Sequence, residues 1–203
     1  NVIDGYAYGV SLTPDGTLMA VAHSGSPYIT TYDWDGTGWV KRPNPSVLPP
    51  STVQGVSMTH DGTLMAVAHF GSPFITTYDW DGTGWVKRPD PSVLPTNAAY
   101  GVSLTPDGTL MVVSHSSSPY VTTYDWDGTE WVKRPNPSVL PPDRAHGVSL
   151  TPDGYLMAVT HSGSPYITTY DWDGTEWVKR PDPSVLPDRA RGVSLTPDGT
   201  LMA

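Results

Sequence analysis

The chain has 203 residues and no cysteine, so disulfides and thiolate metal centres are excluded. Charged residues make up only 15% of the sequence, and 20 acidic against 11 basic residues leave a formal net charge of -9. The basic residues recur singly instead of gathering into one stripe, which speaks against nucleic-acid binding. No apolar run approaches the roughly 18 residues that cross a bilayer, so no membrane insertion is expected. The opening segment NVIDGYAY lacks the charged and apolar regions of a signal peptide. Helical periodicity is missing too, because 22 prolines and 20 glycines interrupt every stretch before a helix could nucleate.

What the chain does have is repetition. The segment GVSLTPDGTLMAVAH returns with its leading glycine at Gly9, Gly55, Gly101, Gly147 and Gly192. Four full units span 9–54, 55–100, 101–146 and 147–191, and a fragment, 192–203, begins a fifth. A unit of this length cannot bury its own apolar residues and must stack on its neighbours, so the core is distributed along the array. One domain is expected.

Within the first unit, Val10–Thr13 alternates apolar and polar and meets the turn signal Pro14-Asp15-Gly16. Leu18–His23 is a second alternating run, closed by Ser24-Gly25-Ser26-Pro27. Tyr28–Tyr32, β-branched and aromatic, reads as a third strand before the turn Asp33–Thr37. Trp39–Arg42 makes a short fourth strand, ended by prolines, whose Lys and Arg suit an outer edge. Four antiparallel strands per unit predict an all-β protein, a β-propeller of four-stranded antiparallel blades with four complete repeats and a partial fifth. A β-solenoid is the structural rival.

The run SLTPDGTLMAVAHSGSPYITTYDWDG resembles the WD-repeat and YVTN-type propeller families, in which a turn like SPDG joins the first two strands and a Trp-Asp pair closes the third. Either Tyr32-Asp33 or Trp34-Asp35 could fill the Trp-Asp position. The family's Gly-His pair is absent, because Tyr8, Gln54, Tyr100, His146 and Arg191 precede the leading glycines, so its Asp-His-Ser network is not carried over. The near-identity of the copies also resembles recently amplified propellers of bacterial and phage-encoded surface proteins, which implies an extracellular or virion-associated setting. The partial fifth repeat leads us to expect a window cut from a longer array that closes at five to eight blades.

Three repeated motifs could carry chemistry. His23, His69, His115 and His161 place one imidazole per blade, either as a metal or acidic-ligand site or as hydrogen-bond partners of a neighbouring loop. The DWDGT loops at 33–37, 79–83, 125–129 and 171–175 set two carboxylates beside a glycine, which fits a hairpin turn and only partly echoes a calcium loop. The tryptophans Trp34, Trp39, Trp80, Trp85, Trp126, Trp131, Trp172 and Trp177 are the candidate binding residues, as stacking platforms for sugar rings or as blade-to-blade packing.

No nucleophile-base set, phosphate-cradling loop or zincin motif is visible, and repetition puts the same group everywhere instead of different groups at one point. No catalytic residue and no cofactor are therefore assigned. The expected role is a non-enzymatic structural or protein-interaction module of a larger assembly, with protein partners or self-assembly. The alternative is a multivalent glycan-binding lectin with one site per blade.

Overall fold

The computed structural model of the chain describes residues 5–203 and contains sixteen β-strands, with no helix among the described residues. The first sheet holds β1 (Ala7–Leu12), β2 (Leu18–His23), β3 (Ile29–Trp34) and β4 (Trp39–Lys41). The second holds β5 (Val53–Met58), β6 (Leu64–His69), β7 (Ile75–Trp80) and β8 (Trp85–Lys87). The third holds β9 (Ala99–Leu104), β10 (Leu110–His115), β11 (Val121–Trp126) and β12 (Trp131–Lys133). The fourth holds β13 (Ala145–Leu150), β14 (Leu156–His161), β15 (Ile167–Trp172) and β16 (Trp177–Lys179). Each sheet is a simple antiparallel meander in chain order.

The hairpins close as their turn residues dictate. Between β1 and β2, Asp15 Oδ1 accepts the Thr13 hydroxyl at 2.6 Å and the Thr17 amide at 3.1 Å, while Gly16 takes the left-handed φ of 71° that the corner needs. Between β3 and β4, Asp35 Oδ1 accepts the Thr37 and Gly38 amides at 2.8 Å. The third strand starts one residue later than its composition suggests. Tyr28 sits at φ 71°, incompatible with a strand, and packs its ring against the core instead of extending the ladder. Asp33 and Trp34, read as turn residues, belong to β3, where Asp33 pairs with Val40 and Trp34 with Trp39.

The sheets stack in series, β1 on β5, β5 on β9 and β9 on β13, with β2, β6 and β10 each lying over the first strand of the next sheet. This places the first strand of every blade innermost and the proline-flanked fourth strand at the rim. The apolar core is a set of layers between blades. Leu18, Ala20, Ala22 and Ile29 of the first sheet meet Val53, Met65, Val67, Tyr78 and Trp85 of the second. The same layer recurs twice more. In β6 the alternation has a clear reading, because Met65 and Val67 face the preceding blade while Leu64, Ala66 and Ala68 face the following one. Both faces of the strand are buried, as the near-continuous apolar run LMAVAH requires.

Two devices tie the inner strands together. Ser11, Ser57 and Ser103 hydroxyl oxygens accept the amides of Met58, Leu104 and Leu150 of the next blade at 3.1–3.2 Å. The leading glycines permit the approach, since a Cβ on Gly101 would lie 2.8 Å from the His146 carbonyl oxygen. The segment 192–203 repeats the turn, with the Thr196 amide donating to Leu201 at 3.0 Å, and Leu195 donates to Ser149. Its recorded pairing is the isolated bridge Leu195–Met202, so the described residues form four blades and not a fifth.

Candidate functional site at the axial mouth

The repeated side chains are engaged between blades. Trp85, Trp131 and Trp177 are 1%, 0% and 0% exposed, and each indole N–H donates to a threonine of the preceding blade, Thr31, Thr77 and Thr123, at 2.9–3.1 Å. Trp80, Trp126 and Trp172 each carry a guanidinium of the preceding blade, Arg42, Arg88 and Arg134, 4.0 Å above the ring centroid. Those arginines also pair with Asp33, Asp79 and Asp125 at 2.6–2.7 Å. Only Trp34 and Trp39, 43% and 39% exposed, leave much indole surface open; they pack edge to face at 5.4 Å.

The histidines and the DWDGT carboxylates are likewise occupied. His23, His69, His115 and His161 are fully buried, with Nε2 2.8–3.0 Å from the hydroxyls of Thr30, Thr76, Thr122 and Thr168. Nδ1 of His69 and His161 lies 2.7–2.8 Å from the carbonyls of Gly71 and Gly163, so these rings brace the loop that follows their strand. Burial pushes the His69 and His115 imidazoles down to about 4. In each DWDGT loop the first Asp pairs with arginine and the second closes the turn, its carboxyl held below the usual range by the Thr37 hydroxyl and then by backbone amides, as at Asp35. Among the described residues no three His, Asp or Glu side chains converge as a metal site.

The residue before each leading glycine behaves differently. Pairing runs from Ala7–His23 to Gly9–Ala22, so Tyr8 is the extra residue of a β-bulge, and Gln54 and Tyr100 hold the same place in their blades. A bulge re-aims its side chain. Here the bulged Tyr8, Gln54, Tyr100 and His146, joined by Arg191 from the segment after the fourth sheet, together line a cavity of about 260 Å³ where the inner strands begin. Phe70 packs edge to face on Tyr100 at 5.3 Å, and Tyr100 on His146 at 5.6 Å. At the rim, the Arg144 guanidinium lies 6.0 Å from the Tyr100 ring. His146 Nε2 is 2.9 Å from the Ser162 hydroxyl. Burial first, then Arg191 and Arg144, hold its imidazole below the ordinary histidine value, while Asp143 pulls the other way.

Reading the repeat for its constant residues passes over this cluster. The available signal was divergence: the position before the glycine holds Tyr, Gln, Tyr, His and Arg across five copies that are otherwise nearly the same. The segment before it also varies, through Ser51-Thr52, Asn97-Ala98, Asp143-Arg144 and Asp188-Arg189.

Neither a protein-family model nor a curated protein matches the chain. Among solved structures, hydrazine synthase from Kuenenia stuttgartiensis superposes on all of this chain with a TM-score of 0.72 and 18% sequence identity. The chain spans 58% of the length of that structure. At this identity the likeness concerns the fold, and with the stacked meanders above it supports a β-propeller built of tandem repeats.

Proposed function

We propose that the chain is a non-enzymatic interaction module, a rigid repeat body that presents one variable end to a partner. The observation that carries this reading is the division of labour between positions. The invariant tryptophans, arginines, histidines and aspartates are used up in ties within and between blades, while one of the most varied positions of the repeat, the one before each leading glycine, lines the axial mouth. A body of this kind offers a fixed platform, and the variable residues give it a surface unlike any single blade. The test is affinity retention from extracts of the source organism. The wild type is compared with a variant in which Gln54, Tyr100, His146 and Arg191 are all serine, and folding is checked by circular dichroism. A partner retained by the wild type and lost by the folded variant supports the reading, and identical partner sets for both overturn it.

A glycan-binding role is the second reading, and what favours it is the pair Trp34 and Trp39 beside Asp35 and Thr37, half-exposed because no sheet precedes theirs among the described residues. In the inner blades a sugar would have to displace a stacked arginine from Trp80, Trp126 or Trp172. A glycan array with Trp39→Ala as control decides it, since signal indifferent to the substitution removes the lectin.

A further inference from the structure

Exposure alone does not explain why the copies diverge where they do. Val40, Val86, Val132 and Val178 are 42–51% exposed, yet all four copies keep valine there. Val47, Val93 and Val139 are half exposed and also unchanged. Other positions open to solvent, such as Tyr155 against threonine and Glu130 and Glu176 against glycine, differ in only two residue types, whereas the position before the leading glycine shows four residue types in five copies.

The chemistry gathered there is also distinctive for this chain. Of its 11 basic residues, eight are the Lys-Arg pairs that close each blade, Lys41-Arg42, Lys87-Arg88, Lys133-Arg134 and Lys179-Arg180. The other three, Arg144, Arg189 and Arg191, all lie in the segments that lead into the inner strands at the mouth. In a protein with a net charge of -9, this is a local concentration of positive charge, answered in the same segments only by the exposed Asp143 and Asp188. Asp143 turns an oxygen back to the Arg144 amide at 2.6 Å, so part of its charge is spent on its own loop.

Two further features fit a ligand. The Tyr100 ring forms an aromatic wall with Phe70 and His146 around it, and the Gln54 amide offers both a donor and an acceptor. The cavity of about 260 Å³ suits a single ring with its substituent, not a folded chain segment. Arg191 is held in place by its own backbone, since its carbonyl oxygen abuts Gly147 where a Cβ would lie 2.7 Å away. We propose that the axial mouth binds a small planar organic anion of the aromatic carboxylate class, its ring against Tyr100 and its carboxylate met by the Arg191 guanidinium group. A planar guanidinium matches a carboxylate with two parallel hydrogen bonds, and an aromatic ring on the same ligand gains the stacking that a simple carboxylate lacks.

This inference rests on the reading of the mouth as the binding end, and it is tested separately from it. Benzoate is titrated into the wild-type chain by saturation-transfer NMR and calorimetry, beside acetate, benzyl alcohol and benzylamine. The expected result is saturable binding of benzoate, weaker binding of acetate and benzyl alcohol, and none of benzylamine. Arg191→Gln weakens benzoate by about tenfold or more, because a charge-assisted contact is lost. Added salt weakens it further. Tyr100→Leu weakens benzoate but leaves acetate unchanged. Both side chains are at least partly solvent-facing and outside the blade layers, and circular dichroism verifies that each variant keeps its sheet content. Absence of benzoate binding, equal binding of benzylamine, or affinity unchanged in Arg191→Gln overturns the anion site. If partner retention still depends on the mouth residues while benzoate fails, the interaction reading stands and only the ligand class falls.

Discussion

Gly101→Ala is the sharpest probe of how the blades meet at the axis. The φ of Gly101 lies outside the left-handed region, so alanine meets no backbone prohibition there. Taken alone, the change would favour folding by about 0.5–1 kcal/mol, because alanine gives up less freedom than glycine on folding. Packing opposes it. The new Cβ would stand 2.8 Å from the His146 carbonyl oxygen and 2.9 Å from the Ser114 hydroxyl, with the Gly147 Cα at 3.5 Å. The first of these is backbone of the next blade, and the Ser114 hydroxyl already donates to it at 2.6 Å, so neither atom yields without parting the two inner strands. Overpacking of this kind costs about 1–3 kcal/mol, and loss of the serine bond adds about 1 kcal/mol. The net effect is a destabilisation of about 2 kcal/mol, which at 2–4 °C per kcal/mol lowers Tm by about 4–8 °C. Gly192→Ala is the matched control, because nothing lies within 4 Å of its Cβ position, and it should shift stability by less than about 0.5 kcal/mol. The chain has made a similar comparison itself, since Gly38 and Gly84, also open, are replaced by Glu130 and Glu176 in the later copies. Thermal and guanidinium melts followed by circular dichroism read both variants. If Gly101→Ala melts at or above the wild type, the close axial approach of the strands is refuted.

Three other outcomes are expected. Trp131→Phe removes the indole N–H bonded to Thr77 and opens space between two blades, so it costs about 2–4 kcal/mol, whereas Trp39→Phe at the half-exposed position costs less than about 1 kcal/mol; equal effects in denaturant melts would contradict the inter-blade burial. Because burial holds His69 and His115 near 4, below an unfolded value of 6.5, the unfolded chain binds more protons between those values; stability is therefore full above pH 6.5 and falls as pH drops through 4. Melts at pH 7 and pH 5 should show that loss, and His115→Gln should reduce its slope. Arg88→Lys keeps the charge but loses the planar stack over Trp126 and the fork geometry toward Asp79, and should lower stability by about 1 kcal/mol at a salt concentration that screens exposed pairs.

The strand order of a blade was legible because its signals are local. Alternation of period two in Val10–Thr13 and Leu18–His23, and turns marked by Asp15-Gly16 and Asp35-Gly36, depend on residues within a few positions of one another. Tyr28 misled because its strand propensity is outweighed by a left-handed φ that sequence alone does not reveal. The tryptophans could not be resolved for a different reason. Trp85 meets Thr31, 54 residues away and one blade earlier, so a repeat period shows that the contact recurs but not that it exists. Whether an indole is core or surface depends on which face the neighbouring sheet covers, and the same residue type is buried at Trp131 and half exposed at Trp39.

That dependence on neighbours explains why the constant and the variable positions separate as they do. A change at Trp85, Arg42 or Ser57 would disturb a contact that recurs in every interface, and the layers of the array share one geometry, so such positions can vary only if their partners vary with them. The bulged residue before Gly9, Gly55, Gly101 and Gly147 is freed from that constraint: its side chain leaves the inter-blade layer for the axis. Strands β10 and β14 show the coupling at the boundary between the two regimes. Where the first copies carry Ala22 and Ala68, the later ones carry Ser114 and Thr160; the Ser114 hydroxyl donates to the His146 carbonyl and the Thr160 hydroxyl accepts the Gly147 amide, beside the most altered side chains. Such added bonds hold the inner backbone steady while the side chain it carries changes from tyrosine to histidine to arginine. Variation at the mouth therefore leaves the stacking of the blades untouched, and a repeat body of this design can change what it presents at its axis without changing how it folds.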